Sequence, residues 1–276
     1  MNYLDIVPRL SKYVEEKVCI TRDLWVLRRY YRFRPSKNYG GSAVGYIVGC
    51  NLSCVYCWCK KINTKPWIGS YELPNNVVEK LLSIARARGY NVVRLSGGEP
   101  TLCFNHLIQV INLFSYRRKE REIFILETNG LLLGLNEDLS AEFKPYSKFL
   151  VVRISLKGCT EEDFEKITSL NGFVYSSQVK AIENLSVNNI PYIVAIPISL
   201  CSRQGLSRLL EVLTRKIGEH ILNVLEQEVL ILYPSVVDDM CRKNLKPWIA
   251  YDPVEKKKIK GDEVDELFKR RCREID

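Results

Sequence analysis

The sequence has very little histidine, and this scarcity narrows the metal sites it can build. Its two histidines, His106 and His220, lie far apart in the chain and do not form the His pair of common zinc sites. Long apolar runs are also lacking, since no window approaches the roughly eighteen consecutive apolar residues of a membrane-spanning helix. The N-terminal residues carry charges throughout and show no apolar stretch before a cleavage site, so no secretory signal is expected. The sequence therefore predicts a cytoplasmic protein without a membrane span.

The ten cysteines are interpreted against that predicted location. In a reducing compartment, cysteines are more often thiols or metal ligands than disulfides. Six of them are scattered and are expected to be small buried hydrophobic side chains: Cys19, Cys103, Cys159, Cys201, Cys241 and Cys272. The other four lie in the segment VGCNLSCVYCWC, residues 48–59, which we call the cysteine segment. Only this segment is dense enough to indicate a cluster of ligands.

The net charge of the chain does not by itself identify a binding partner. The formal net charge of +9 is compatible with binding to RNA or another anionic partner, but an ordinary solvated surface is the preferred interpretation. Near the N-terminus, arginines are interleaved with aromatic residues: Arg28, Arg29, Arg32 and Arg34. This stretch is interpreted either as a nucleic-acid patch or, preferably, as a terminal segment that packs its aromatic side chains on the rest of the fold.

Apolar periodicity predicts alternating strands and helices from residue 43 onwards. The six predicted strands fall within 43–49, 91–96, 122–127, 149–155, 190–199 and 221–233. Six βαβ-type units within about 190 residues favour an α/β fold, a partial (β/α)6 TIM-like barrel with mostly parallel strands. The predicted domains are a basic, aromatic N-terminal extension (1–42), the barrel core (43–233) and a charged, partly helical C-terminal extension (234–276). Within the N-terminal extension, Pro35 and Gly40-Gly41 predict a short helix followed by a loop.

Polar or glycine-rich motifs follow the first four predicted barrel strands. CNLSCVYC follows the first strand, GGEPT the second, TNG the third and SLKG the fourth. Functional residues of α/β barrels collect at the carboxyl ends of the strands, so these motifs are expected to share one rim. Taken singly, GGEP is also typical of an ordinary turn, and TNG of a plain strand-to-helix turn.

Cys50, Cys54 and Cys57 are separated by three and then two residues. Three thiolates in one short loop can take three corners of a cubane iron–sulfur cluster and leave one iron without a protein ligand. Zinc normally takes four closed ligands, and Cys59 is poorly placed to be the fourth because one residue separates it from Cys57. Three unligated thiols are the remaining alternative. The spacing favours a cluster, with Cys59 as a bystander.

The CX3CX2C spacing, with Tyr56 before the last cysteine, is followed one strand later by Gly97-Gly98-Glu99-Pro100. In this order the two motifs resemble the radical S-adenosylmethionine (radical SAM) superfamily, over residues 43–233. The short barrel and the absence of other cysteine motifs look most similar to its small activase-like members. These include glycyl-radical-enzyme activating enzymes and related archaeal proteins.

The resemblance implies the residues that hold two cofactors, a [4Fe–4S] cluster and S-adenosylmethionine (SAM). The implied metal ligands are Cys50, Cys54 and Cys57, and the implied SAM-site residues are Gly97, Gly98, Glu99, Asn129, Ser155 and Lys157. The glycine pair lacks a Cβ and would let the backbone approach the methionyl group. The activase-like members carry Asp where this chain has Ser155.

The resemblance also implies the reaction and its partners. An external low-potential donor would reduce the cluster, and reductive cleavage of SAM would give a 5′-deoxyadenosyl radical that takes hydrogen from a substrate. A protein substrate is the leading prediction, because an open barrel can admit a polypeptide segment.

Two alternatives stay open. Cys57-Trp58 and GEPT resemble the radical enzymes that build wybutosine-type bases in tRNA, although those carry further cysteine-containing segments that this chain lacks. A non-catalytic iron–sulfur protein would explain the cysteines, but not the Gly-Gly-Glu turn or the element containing Lys157.

Overall fold

The computed structural model describes residues 5–274, in which strands and helices alternate along most of the chain. The strands are β1 (Cys19–Arg22), β2 (Trp25–Ser36), β3 (Ser42–Ile47), β4 (Ser70–Glu72), β5 (Val92–Ser96), β6 (Ile123–Thr128), β7 (Leu150–Ser155), β8 (Tyr192–Ile196), β9 (Leu225–Gln227), β10 (Ile249–Asp252) and β11 (Lys257–Lys260). The helices are α1 (Ile6–Val18), α2 (Lys60–Asn63), α3 (Pro74–Ala87), α4 (Phe104–Arg117), α5 (Leu131–Leu135), α6 (Glu137–Ala141), α7 (Glu161–Thr168), α8 (Tyr175–Val187), α9 (Arg203–Ile217), α10 (Pro234–Arg242) and α11 (Asp262–Arg273). None of the described helices combines the length and apolar character needed to cross a membrane.

One sheet of nine strands, most of them parallel, organises the fold. Its order is β1-β2-β3-β5-β6-β7-β8-β9, with β4 paired on β2. Parallel registers join β3 to β5, β5 to β6, β6 to β7, and β8 to β9. The six predicted barrel strands are confirmed as β3 and β5–β9, neighbouring in chain order, as the partial (β/α)6 arrangement requires. The sixth is much shorter than its predicted segment.

Local signals explain where the connecting helices begin. The Thr160 side chain caps α7 by accepting from the Asp163 N–H, and acidic residues fill the first turn. Pro74 lies in the first turn of α3, where a missing N–H costs nothing. Ser202 caps α9 by accepting from the Gly205 N–H. The apolar face of α3 packs against β2, β3 and β5, with Leu81 fully buried.

The predicted helix and loop of the N-terminal extension are only half correct. Helix α1 is present, but it is followed by the antiparallel hairpin β1–β2, and β2 also pairs antiparallel with β3. Pro35 does not break β2 because β1 and β4 pair with β2 only within residues 25–30. At Pro35, β3 is the only described strand that pairs with β2. The other edge of β2 is unpaired there among the described strands and needs no backbone N–H. The preferred inward packing of the aromatic side chains holds for Tyr30, which is buried and stacks on Phe33 at 5.1 Å, but not for Trp25, which is exposed.

The chain forms two compact units, each discontinuous in sequence. The first contains the described residues up to Asn51, Lys61–Ile154 and Ser177–Ile193; the second contains Leu52–Lys60, Ser155–Ser176 and the described residues from Val194 onwards. The division into 1–42, 43–233 and 234–276 stays a prediction.

The C-terminal part of the second unit is folded around an apolar core, which the predicted charged, partly helical extension did not include. Helices α10 and α11 and the β10–β11 hairpin surround this core. Its buried members are Val55, Leu230, Leu232, Val236, Val237, Met240, Ala250, Ile259, Val264 and Phe268. The dense charges of α11 belong to the outer face of an amphipathic helix whose buried positions, Val264 and Phe268, are four residues apart.

The six scattered cysteines are paired, so the prediction of separate buried thiols was wrong. The disulfides are Cys19–Cys103, Cys159–Cys201 and Cys241–Cys272. The pairs are 84, 42 and 31 residues apart in sequence, and each lies within one unit. Spacing along the chain does not reveal such pairs, because the fold alone brings the sulfur atoms together.

Candidate functional site

The turn after β5 carries Gly97-Gly98 and lies directly against the start of the cysteine segment. The Gly98 N–H donates to the Ile47 carbonyl at 3.0 Å, and the Glu99 N–H donates to the Gly49 carbonyl at 2.8 Å. A Cβ on Gly98 would overlap the Gly49 carbonyl. Gly97 has a φ of +99°, a conformation that favours glycine. The glycine pair is thus needed for the close approach of two backbone segments, and its contact with SAM stays a prediction.

Glu99 is buried, and its carboxylate joins two strand ends. Its Oε1 accepts from the Thr101 N–H at 3.1 Å, the Thr101 hydroxyl at 2.7 Å and the Thr128 hydroxyl at 2.6 Å. Its Oε2 accepts from the Asn129 N–H at 2.7 Å. All four groups can donate, as an ionised carboxylate requires. The side chain therefore fixes the turn after β5 to the TNG turn after β6, a role the sequence did not reveal.

Asn129 continues this framework to the first cysteine. Its side-chain Nδ2 donates to the Asn51 Oδ1 at 2.8 Å and lies 3.9 Å from the Cys50 Sγ. Its Oδ1 accepts from the Leu131 N–H at 3.0 Å. Its backbone carbonyl accepts from the Gln178 Nε2 at 2.5 Å. The structure thus brings predicted residues from three strand ends together in the first unit: Cys50, Glu99 and Asn129.

The N-terminal arginines are used within the fold rather than forming one exposed patch. Arg28 is 1% exposed, and its Nη2 donates to the Val48 and Glu99 carbonyls at 3.1 and 2.9 Å. Arg29 donates through Nη1 to the Trp67 and Gly69 carbonyls at 3.2 and 2.9 Å. Two of the four arginines, Arg28 and Arg29, therefore bind the protein's own backbone, which weakens the interpretation of this cluster as a nucleic-acid patch.

The rest of the cysteine segment belongs to the second unit. Cys54 and Cys57 form a tight turn, in which the Cys57 N–H donates to the Cys54 carbonyl at 3.1 Å. Between them, the Val55 side chain is buried in the C-terminal apolar core, and its N–H donates to the Ile167 carbonyl at 2.9 Å. Packing of one apolar residue thus anchors the turn that carries two predicted ligands.

Ser155 and Lys157 lie at the end of β7 in the same unit. The Lys157 Nζ donates to the Ser155 Oγ at 2.6 Å and lies 5.8 Å from the centre of the Tyr56 ring. Burial raises the pKa of Cys54 to about 12, and the Lys157 charge opposes that rise. The structure therefore places the predicted lysine beside the cysteine segment, whereas its contact with SAM stays a prediction.

The thiols present fit an iron–sulfur cluster. Cys50, Cys54, Cys57 and Cys59 are reduced, whereas the other six cysteines form disulfides. Thiolate is the donor that such clusters take, and coordination ionises a buried thiol such as that of Cys54 outright. In a cubane each thiolate binds a different iron, so the three ligands need not surround one ion. Between residues 5 and 274, no three Cys, His, Asp or Glu side chains are grouped to hold a single metal ion.

Comparison with known proteins identifies the family. The model of the radical SAM superfamily matches residues 44–201, more than half of the chain. The chain belongs to the radical SAM superfamily. Enzymes of this superfamily use a [4Fe–4S] cluster together with SAM, as the sequence motifs predicted.

Curated radical SAM relatives have different activities. GTP 3′,8-cyclase of Clostridium acetobutylicum is 32% identical over 127 residues, which cover 44% of this chain and 36% of the cyclase. The cysteine-type anaerobic sulfatase-maturating enzyme of Clostridium perfringens is 32% identical over 113 residues, 37% of this chain and 29% of that enzyme. The chain spans about half or less of the length of such relatives.

A solved radical SAM structure supports the fold class. Spore photoproduct lyase, complexed with a dinucleoside spore photoproduct, superposes with a TM-score of 0.58, covering 90% of this chain and 77% of the lyase. The sequence identity is 12%, so the likeness concerns the fold alone. It confirms the α/β partial barrel with mostly parallel strands.

Sequence reasoning missed the residues that support the site. Arg28 was grouped with surface cations, and Val55 was not considered. A signal did exist for Arg28, because a strand with Leu27 and Tyr30 on either side of it leaves little room for an exposed charge. Without the registers of β2, however, nothing showed which residues of that run face inward.

Proposed function

We propose that this chain uses a cluster bound by three cysteines, and SAM bound along the neighbouring strand ends, to take hydrogen from a substrate. The proposed cluster ligands are Cys50, Cys54 and Cys57, and the proposed SAM-site residues are Gly97, Gly98, Glu99, Asn129, Ser155 and Lys157. When bound, the cluster and SAM supply the reductive cleavage that yields a 5′-deoxyadenosyl radical, with the electron coming from an external low-potential donor.

The observation that carries this proposal is the hydrogen-bonded link from the Gly-Gly-Glu turn to Cys50. Glu99 holds the backbone of Asn129, and the Asn129 amide reaches the Cys50 sulfur. N–H groups near a ligating sulfur orient it and tune the potential of its cluster. One buried carboxylate therefore fixes both the turn proposed to bind SAM and a donor to a proposed cluster ligand.

We propose a protein substrate, in an activase-like reaction. Support comes from the relative in Clostridium perfringens, whose name states that it matures a sulfatase. The tRNA alternative is less well supported, because Arg28 is buried and Arg29 holds a neighbouring loop. The relatives named for GTP cyclisation make a small nucleotide the main rival substrate class.

The cluster assignment is tested by comparing two cysteines of the same segment. After anaerobic reconstitution, Cys54→Ala is expected to lose most of its iron and all formation of 5′-deoxyadenosine. Cys59→Ala removes an equally buried thiol and is expected to keep both. Equal iron loss in the two variants, or none in either, would contradict the ligand set.

The substrate class is tested by isotope transfer. Extract of the source organism grown in heavy water is separated into macromolecules and small molecules, and each is supplied to the reduced holoenzyme with SAM. With the macromolecular fraction, deuterium is expected to appear in 5′-deoxyadenosine. This transfer is expected to persist when the fraction is first treated with ribonuclease and to be lost when it is first treated with protease. Transfer from the small-molecule fraction, or loss after ribonuclease, would instead support a nucleotide or tRNA substrate.

A further inference from the structure

Building on the proposed function, we infer that Arg28 is a positioning residue that locks the cysteine segment to the SAM-binding turn and places a buried positive charge beside the cluster. Arg28 lies on β2, outside the matched region of residues 44–201. The N-terminal β1–β2 hairpin therefore supplies a residue that contacts the Gly-Gly-Glu turn.

The geometry of the guanidinium supports the locking role. Its Nη2 donates to two carbonyls at once, that of Val48 at 3.1 Å and that of Glu99 at 2.9 Å. Val48 is the first residue of the cysteine segment, and Glu99 ends the Gly-Gly-Glu turn. The same two segments are also joined by backbone hydrogen bonds, from the Gly98 N–H to the Ile47 carbonyl and from the Glu99 N–H to the Gly49 carbonyl. The two N–H bonds of Nη2 have fixed directions in the plane of the guanidinium, whereas an ammonium group rotates at the end of a flexible stem and fixes neither direction.

The charge of Arg28 is retained although the residue is buried. Burial lowers its pKa to about 10, while Tyr30, Glu99, Cys50 and Glu15 oppose that shift. The group therefore stays protonated at neutral pH. Its Nη1 lies 3.6 Å from the Cys19 sulfur, in the disulfide that ties β1 to the segment after the Gly-Gly-Glu turn. Its Nε finds no hydrogen-bond acceptor among the described residues. Keeping such a donor buried without an acceptor costs stability.

A fixed cation near Cys50 has a defined effect on a cluster. Reduction adds one negative charge, which a nearby buried cation stabilises, since the interior screens charges weakly. Arg28 is thus expected to raise the reduction potential of the cluster. Its hydrogen bonds are expected to raise SAM affinity separately, because they set the distance between the cysteine segment and the turn.

Arg28→Met and Arg28→Lys separate these two effects, and Arg29→Met is the matched control. Arg29 is the next residue on the strand and also donates to two backbone carbonyls, but of the loop at residues 67–69. Each protein is reconstituted anaerobically and assayed for iron, for the cluster potential by redox titration followed by electron paramagnetic resonance, and for SAM binding without turnover. Melting of the cluster-free proteins shows which variants fold.

Arg28→Met is expected to keep its iron, to have a more negative potential and to bind SAM about tenfold or more weakly. Arg28→Lys keeps the positive charge but lacks the planar guanidinium. It is expected to have the reduction potential of the wild type, while SAM binding stays weak. Arg29→Met is expected to match the wild type in both measurements. Wild-type SAM affinity in Arg28→Lys would overturn the inference, even if Arg28→Met does not fold. Absence of a cluster from the wild type would instead refute the proposed function.

Discussion

Glu99 illustrates how a single buried side chain can organise a site by joining two strand ends. The two oxygens of its carboxylate each face a backbone N–H, from Thr101 on one side and Asn129 on the other. Hydroxyl groups can rotate to accept a hydrogen bond, but a backbone N–H cannot. Both terminal atoms of this side chain therefore have to be hydrogen-bond acceptors, and a carboxylate meets that requirement whereas an amide does not.

Glu99→Gln is accordingly expected to destabilise the cluster-free protein by about 1–3 kcal/mol, because one backbone N–H must face the amide NH2 in either orientation. The free energy of unfolding is measured by urea titration at pH 7. Glu120→Gln, at an exposed position, is the matched control and is expected to leave stability unchanged. Equal stabilities of the two variants would show that Glu99 does not bridge the strand ends.

The turn that contains Cys54 and Cys57 depends on an element far along the chain. Val55 is 3% exposed and packs in the core formed by α10, α11 and the β10–β11 hairpin. The C-terminal segment therefore supports the turn of Cys54 and Cys57 from within the second unit, although the sequence predicted only a charged, partly helical extension there.

Val55→Ala removes two methyl groups from this core and is expected to lower the free energy of unfolding by about 2 kcal/mol. We also expect less iron after reconstitution, since the turn loses its anchor. Val187→Ala makes the same change at a position that is 80% exposed and serves as the control. If both variants unfold at the same urea concentration as the wild type, the apolar core does not anchor the turn.

The elements of the barrel could be predicted because their signals are local. β5 and β7 are short apolar runs followed by glycine-containing turns, and α7 begins at a Thr cap. The hairpin β1–β2 was missed because its arginines conceal the alternation of inward and outward residues. A partly helical extension was predicted where α11 lies, but the packing of α11 on a core was missed because only two of its side chains are buried. Which residues bridge the strand ends could not be predicted. Glu99 and Asn129 meet because β5 and β6 are parallel neighbours, and Arg28 reaches the Glu99 carbonyl from β2, which pairs antiparallel with β3.

The whole molecule carries two classes of cysteine. Six sulfurs close three loops, and cross-links over such separations stabilise a protein by about 2–4 kcal/mol each, chiefly by restricting the unfolded chain. The remaining four are thiols of the cysteine segment.

Cluster-free protein unfolded anaerobically without reductant is expected to show four reactive thiols, and ten after full reduction. Disulfide mapping by mass spectrometry is expected to recover the three pairs. We further expect the reduced protein to unfold at lower urea concentration, because the loops are then open. A count of ten thiols before reduction would mean that the framework does not form.

The partners of Arg28 also determine when the site can take shape. During synthesis the chain emerges from its N-terminus, so Arg28 appears 71 residues before the Glu99 carbonyl that it binds. Asn129 follows later, and the Gln178 side chain that holds its carbonyl comes 49 residues after that. The cysteine segment is thus made early but acquires its supports late. The backbone of Asn129 is therefore expected to be held in place only once Gln178 has been made, and the turn around Val55 only once the core residue Phe268 has been made.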